Sequence, residues 1–190
     1  MGHVVGGAAD HVPHVMPGSP PVVDHGTTGG SPTAVTGPAG QETAMPMIDV
    51  YAAEGTFASK HDLAQQLAAA VMRWEQVPPI ALFEKNTAAF VHDLPADAIS
   101  NVAGDSNYVR VQVLTPAGVL DRDKQLGVVR ELTDIVASVA RDATLADRTW
   151  VLITESPDGG WGINGHANTG ADIAEAARRE LTSKPKEPLS

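Results

Sequence analysis

The chain has 190 residues, with 13 Lys plus Arg against 23 Asp plus Glu and a formal net charge of -10, which is room for one domain or two small ones. Apolar residues make up 43% and aromatics 4%, so a core has to be built mainly from Val, Leu, Ile and Ala. The acidic balance excludes bulk phosphate neutralisation as a way of binding nucleic acid, the absence of cysteine excludes disulfides and thiolate chemistry, and no apolar run approaches the roughly 18 residues that span a bilayer.

The expected setting is cytoplasmic, with neither nucleic acid nor membrane as a partner. Residues 1–44 hold 9 of the 18 Gly, 6 of the 14 Pro and 4 of the 7 His, with no aromatic residue and no Lys or Arg. Such a composition does not offset its own chain entropy, and the segment reads as a disordered leader. His3, His11, His14 and His25 lie in it without an ordered frame or a carboxylate cluster, so no metal site is assigned to them.

From Pro46 the texture becomes periodic. Residues 46–51 are β-prone, Glu54-Gly55 marks a turn, and Ser59-x-x-Asp62 reads as a helix-capping signal. Leu63, Leu67, Val71 and Trp74 recur at helical spacing, which predicts a helix over about 59–76 ended by Pro78-Pro79. Residues 80–83 and 88–91 read as strand, and 93–105 as a polar connection. Residues 108–114 then read as a strand, 116–118 as a turn and Asp121 as a helix cap. Leu126, Val129, Leu132, Ile135, Val136 and Val139 are predicted to share one helix face, and residues 150–153 form the next strand.

A shift of 63 residues lays Gly55 on Gly118, Ile48 on Val111, Val50 on Val113 and Leu63 on Leu126. The expectation is an α+β fold from a tandem β-α-β duplication: a four-stranded mixed sheet with two helices on one face. The units are about 46–105 and 106–168 of a domain over 46–168, with residues 169–190 as a C-terminal helix and tail. The uncovered sheet face predicts a homo-oligomer. Gly160, Gly162 and Gly165 formally satisfy G-x-G-x-x-G, but they follow the last strand of the duplication, so a glycine-rich hairpin is expected there and no dinucleotide cofactor.

Residues 46–55 (PMIDVYAAEG) together with 150–155 (WVLITE) and 160–165 (GWGING) resemble the tautomerase superfamily, in the form of a fused protein of the 4-oxalocrotonate tautomerase group. The resemblance spans about 46–168. It implies a cofactor-independent keto-enol tautomerase acting on small 2-oxo or 2-hydroxydienoate acids, with an N-terminal Pro46 as general base and acid and a trimer of fused chains as its assembly. It also implies Trp161 as the aromatic wall. The family's arginines fall on Thr56 in the first turn, near Leu82 at the second strand and on Trp150 at the fourth. The two arginines of the related dehalogenases and the decarboxylase fall within 115–119, which has none, and the decarboxylase's acid falls on Ala81. Arg148 and Arg110 are the candidates to hold a substrate carboxylate, with Lys85 a weaker one.

Proline chemistry has its own physical basis. A free α-amine has a reference pKa of about 7.7 to 8.0, and apolar surroundings that disfavour the cation lower it, which suits proton transfer near neutral pH. Ile48, Val50, Trp150 and Trp161 are expected to provide those surroundings. An internal proline nitrogen is an amide without that basicity, so the expectation includes a mature chain that starts at Pro46, through initiation at Met45 or removal of the leader. The alternative is a catalytically silent oligomeric binding or assembly module with Pro46 amide-bound. His61, His92 and His166 are expected to play surface roles.

Overall fold

A computed structural model of the chain describes residues 45–183. The expected disorder of 1–44 and the expected frayed tail from Lys184 onward lie outside the described residues. The main sheet has four strands: β1 (Met47–Ala53), β2 (Ala88–Leu94), β3 (Val109–Pro116) and β4 (Thr149–Ser156). Their order is β2-β1-β3-β4. β1 is parallel to β2 and β3 to β4, while β1 and β3 run antiparallel at the centre. That is the mixed sheet of two β-α-β units.

The crossovers are α1 (Lys60–Trp74) and α3 (Arg122–Ala140). Both begin where local sequence directs. The Ser59 hydroxyl accepts from the Asp62 N–H and the Asp121 carboxylate from the Lys124 N–H, satisfying donors that a helix start leaves open. Alternation puts Ile48, Val50 and Ala52 of β1 and Val109, Val111 and Val113 of β3 on the helix-covered face. There they meet Leu63, Leu67 and Val71 of α1 and Val128, Leu132 and Val136 of α3 in one core.

Two readings need correction. Leu126 and Val129 are exposed, and Val128 takes the buried place. At about 100° per residue, Leu126 stands roughly 120° away from Leu132, whereas 128, 132 and 136 stack at i, i+4. The buried residues of the helices correspond at a shift of 65 (63 to 128, 67 to 132, 71 to 136), against 62 for their caps (59 to 121). The longer α3, 19 residues against 15, accounts for the slip. Residues 80–83 are also not strand. They begin a short helix, α2 (Ala81–Asn86), and the edge strand starts at Ala88.

Beyond β4 the chain forms a hairpin of β5 (Trp161–Ile163) and β6 (His166–Asn168), then α4 (Gly170–Ser183). The hairpin turns on Asn164 and Gly165, both at positive φ, the pairing that a two-residue type I′ turn requires. A second apolar cluster joins this end of the molecule: Met45, Val77, Ile80, Phe83, Val119, Trp161, Ile173 and Ala177. Among the described residues no helix is long and apolar enough to cross a membrane.

Candidate active site

The open face of the sheet is organised in rows of one residue from each strand. In strand order β2-β1-β3-β4 they are Ala88–Met47–Leu114–Thr154, Phe90–Asp49–Gln112–Leu152 and His92–Tyr51–Arg110–Trp150. Pro46 stands beside the first row. It is buried, and its carbonyl accepts the Ala88 N–H at 3.3 Å, which ties it to the head of β2. A proline loses nothing at that position, since no ladder bond needs its missing N–H.

Apolar groups surround this end. Met45 is fully buried in the second cluster, against residues that include Phe83, Val119 and Trp161. A cleft of about 290 Å3 adjoins it, lined by Met47, Asn86, Leu114, Trp161, Ile163 and the two hairpin glycines Gly160 and Gly162. Trp161 is 7% exposed; its carbonyl accepts from the Asn168 amide at 3.2 Å, and Ile173 and Ala177 of α4 belong to the same cluster. The structure thus brings Pro46 and Trp161 to one end of the sheet.

The expected cations lie at the other end of the same chain. Arg110 is in register with Tyr51, four residues or about 13 Å along the strand from the Met47 row. Arg148 precedes β4 and is farther still. Its guanidinium donates to Asp142 Oδ2 at 2.9 Å, and its Nε is buried without a hydrogen-bond partner. The hydroxyl of Thr144, and after it Arg148, hold the Asp142 carboxyl below the usual carboxylate range.

Several surrounding expectations change with the fold. Trp150 is 46% exposed in the far row, so it does not wall Pro46. Ile48 and Val50 face the helices in the main core. Leu82 and Lys85 belong to α2 rather than to a strand, and the residue that the structure sets near the head of β2 and into the cleft is Asn86. Its amide donates to the Leu82 carbonyl at 2.7 Å. Sequence reasoning missed Asn86 because the short apolar run ahead of it fits strand and helix equally well.

A second missed group is Glu75. This fully buried carboxylate accepts from the Thr115 hydroxyl at 2.7 Å, joining the end of α1 to the end of β3. Of the histidines, His61 is exposed on α1, and His92 Nε2 lies 2.6 Å from Asp49 Oδ1. His166 lies 3.9 Å from Asp172, whose carboxyl is held low first by the Thr169 hydroxyl. Among the described residues no group of three or more His, Asp or Glu could hold a metal ion.

The fold is that of known solved structures. The chain is similar to the F6 fused 4-OT wild-type asymmetric trimer at 20% identity and a TM-score of 0.56, over 67% of this chain and 98% of that one. It is similar to Pt0534 inactivated by 2-oxo-3-pentynoate at 16% identity and a TM-score of 0.56, over 67% and 98% of the chains. It is similar to N1, a member of the cis-3-chloroacrylic acid dehalogenase family, at 16% identity and a TM-score of 0.54, over 73% and 92%. No family model matches the sequence, and no curated protein does. The chain shares the fold of the fused 4-OT structures, two β-α-β units in one mixed sheet.

Proposed function

We propose that this protein is a cofactor-independent keto-enol tautomerase of small 2-oxo or 2-hydroxydienoate acids, with Pro46 as the N-terminal residue of its active form. The observation that carries the reading is the burial of Pro46 at the head of β1, at the end of the sheet where its chain neighbours Met45 and Met47 belong to one apolar cluster with Trp161, in a fold shared with fused 4-OT proteins. A secondary amine in such surroundings is expected to have a lowered pKa and to be largely neutral near pH 7. It takes the proton of the enol hydroxyl and returns it to a carbon of the conjugated system, so the net reaction is isomerisation and nothing else is consumed.

Met45 gives the reading a second support. Its side chain is wholly buried beside Pro46, so loss of the chain up to Met45 would free the amine and vacate apolar space next to it in one event. Trp161 then walls the substrate. Asn86 is the polar side chain of the adjoining cleft, and the carboxylate partner is Arg148 of a second copy, because within one chain Arg148 is too distant. The assembly in this reading is a homotrimer, the state named for the F6 fused 4-OT.

The buried Met45 also favours a second reading. With residue 45 in place, Pro46 is an amide, and the fold serves as a silent binding or assembly module. The two readings separate in one experiment. A chain beginning at Pro46 should ketonise 2-hydroxydienoates, and Pro46→Ala should lower kcat/KM by about 10²-fold or more. 2-Oxo-3-pentynoate, which inactivates Pt0534, should add through its alkyne to the Pro46 amine and raise the mass by one reagent. Equal turnover by a chain that retains residues 1–44, or by Pro46→Ala, would remove proline from the mechanism.

A further inference from the structure

Duplication makes the two ends of the sheet equivalent, and the tautomerase reading uses one of them. The shift of 63 residues carries Met47 onto Arg110 and Tyr51 onto Leu114, so the two outer rows of the open face exchange. At the first, the hairpin after β4 contributes to the cleft; at the second, the connection after β2 does. A second cleft of about 310 Å3 lies there, lined by residues that include Tyr51, Leu94, Ile99, Tyr108, Arg110 and Trp150. It has no proline base, because Val109 takes the place of Pro46 and its nitrogen is an amide.

What this cleft offers is a cation flanked by flat rings. The Arg110 guanidinium lies 5.4 Å from the centroid of the Tyr51 ring, and Tyr51 stacks on His92 with centroids 4.6 Å apart. On the other side Tyr108 stacks on Trp150, also at 4.6 Å. Arg110 donates to the neutral Gln112 side chain at 3.0 Å. Among the described residues no carboxylate pairs with it. A planar guanidinium matches a carboxylate through two parallel N–H bonds, and neighbouring rings select a ligand that is itself flat.

We infer that this second cleft binds a planar aromatic monocarboxylate, with Arg110 holding the carboxylate and Tyr51, Tyr108 and Trp150 stacking on the ring. The site is separate from the Pro46 chemistry and stands or falls without it. Benzoate is the probe, titrated into the full chain and followed by tryptophan fluorescence. Saturable quenching is expected, with the signal largely lost in Trp150→Phe and the affinity at least about tenfold weaker in Arg110→Gln. Neutral benzamide, which needs no variant, should bind the unaltered chain at least about tenfold more weakly than benzoate. Benzamide binding equal to benzoate, or no saturable binding to the folded chain, overturns the inference. So does an affinity that falls in Trp161→Phe and stays constant in Arg110→Gln, since that places the ligand at the first cleft.

Discussion

Gly127 lies in the middle of α3, where glycine costs about 1 kcal/mol relative to alanine. An added Cβ there would overlap the ring of Trp74. Trp74 ends α1, its indole N–H donates to Glu131 of α3 at 2.7 Å, and Arg73 pairs with the same carboxylate. The close approach and the polar clasp hold the two crossover helices together. Gly127→Ala is therefore expected to destabilise the protein by about 1–3 kcal/mol, despite the gain in helix propensity, as read from urea unfolding. A variant of equal or greater stability would show that the indole swings aside without cost. No local pattern joins residues 74 and 127, so this contact was not legible in the sequence. Trp161 was picked out through the resemblance and not through spacing. Asn86 escaped notice because its position depends on α2, which the apolar run at 80–83 disguised.

The helix elements divide by where their start signals come from. α1 and α3 are capped by Ser59 and Asp121, residues that stand directly before them, so both starts could be read from the chain. The signal for α2 comes from far away. Its first N–H groups, on Ala81 and Leu82, donate to the two carboxylate oxygens of Glu180 on α4 at 2.8 and 3.0 Å, and the residue at its own cap position, Ile80, has no side-chain cap bond. A carboxylate at a helix N-terminus also meets the positive end of the peptide dipoles. Glu180→Ala should cost about 1–2 kcal/mol and speed hydrogen exchange at Ala81 and Leu82, with the core amides of β1 and β3 sped only by the global loss of stability. Unchanged exchange at 81 and 82 would mean that Pro78-Pro79 and the cluster around Phe83 suffice to fix α2. The same distance effect explains the error on α3, where the periodic residues were visible but the extra turn that selects Val128 over Leu126 was not.

At the scale of the molecule, the duplication and its mixed sheet were legible because each unit repeats one order of strand, turn, cap and helix. The open face was legible only as a gap to be covered. Its rows now give it content: a cleft at each outer row, and between them Phe90, Asp49, Gln112 and Leu152. Phe90 is 51% exposed and Leu152 45%, and both sit on edge strands, where unpaired backbone also invites a partner. Large apolar side chains on an edge and a bare face mark an interface more often than a solvated surface. In the proposed trimer this middle row is the contact, and the outer rows stay at the rim where ligands enter. Leu152→Glu would place a charge in that contact, and should convert a trimer to monomers in sedimentation equilibrium while the circular dichroism of the fold persists. In the proposed mechanism Arg148 of another copy holds the substrate carboxylate, so the same variant in a chain starting at Pro46 should lose about 10- to 100-fold in kcat/KM, the worth of one charge-assisted contact, mostly through KM. Trimers that survive both Leu152→Glu and Phe90→Glu would put the interface elsewhere. Monomers that turn over with unchanged KM would leave the interface standing and require the substrate carboxylate to find its partner within one chain, where Asn86 is the polar side chain at hand.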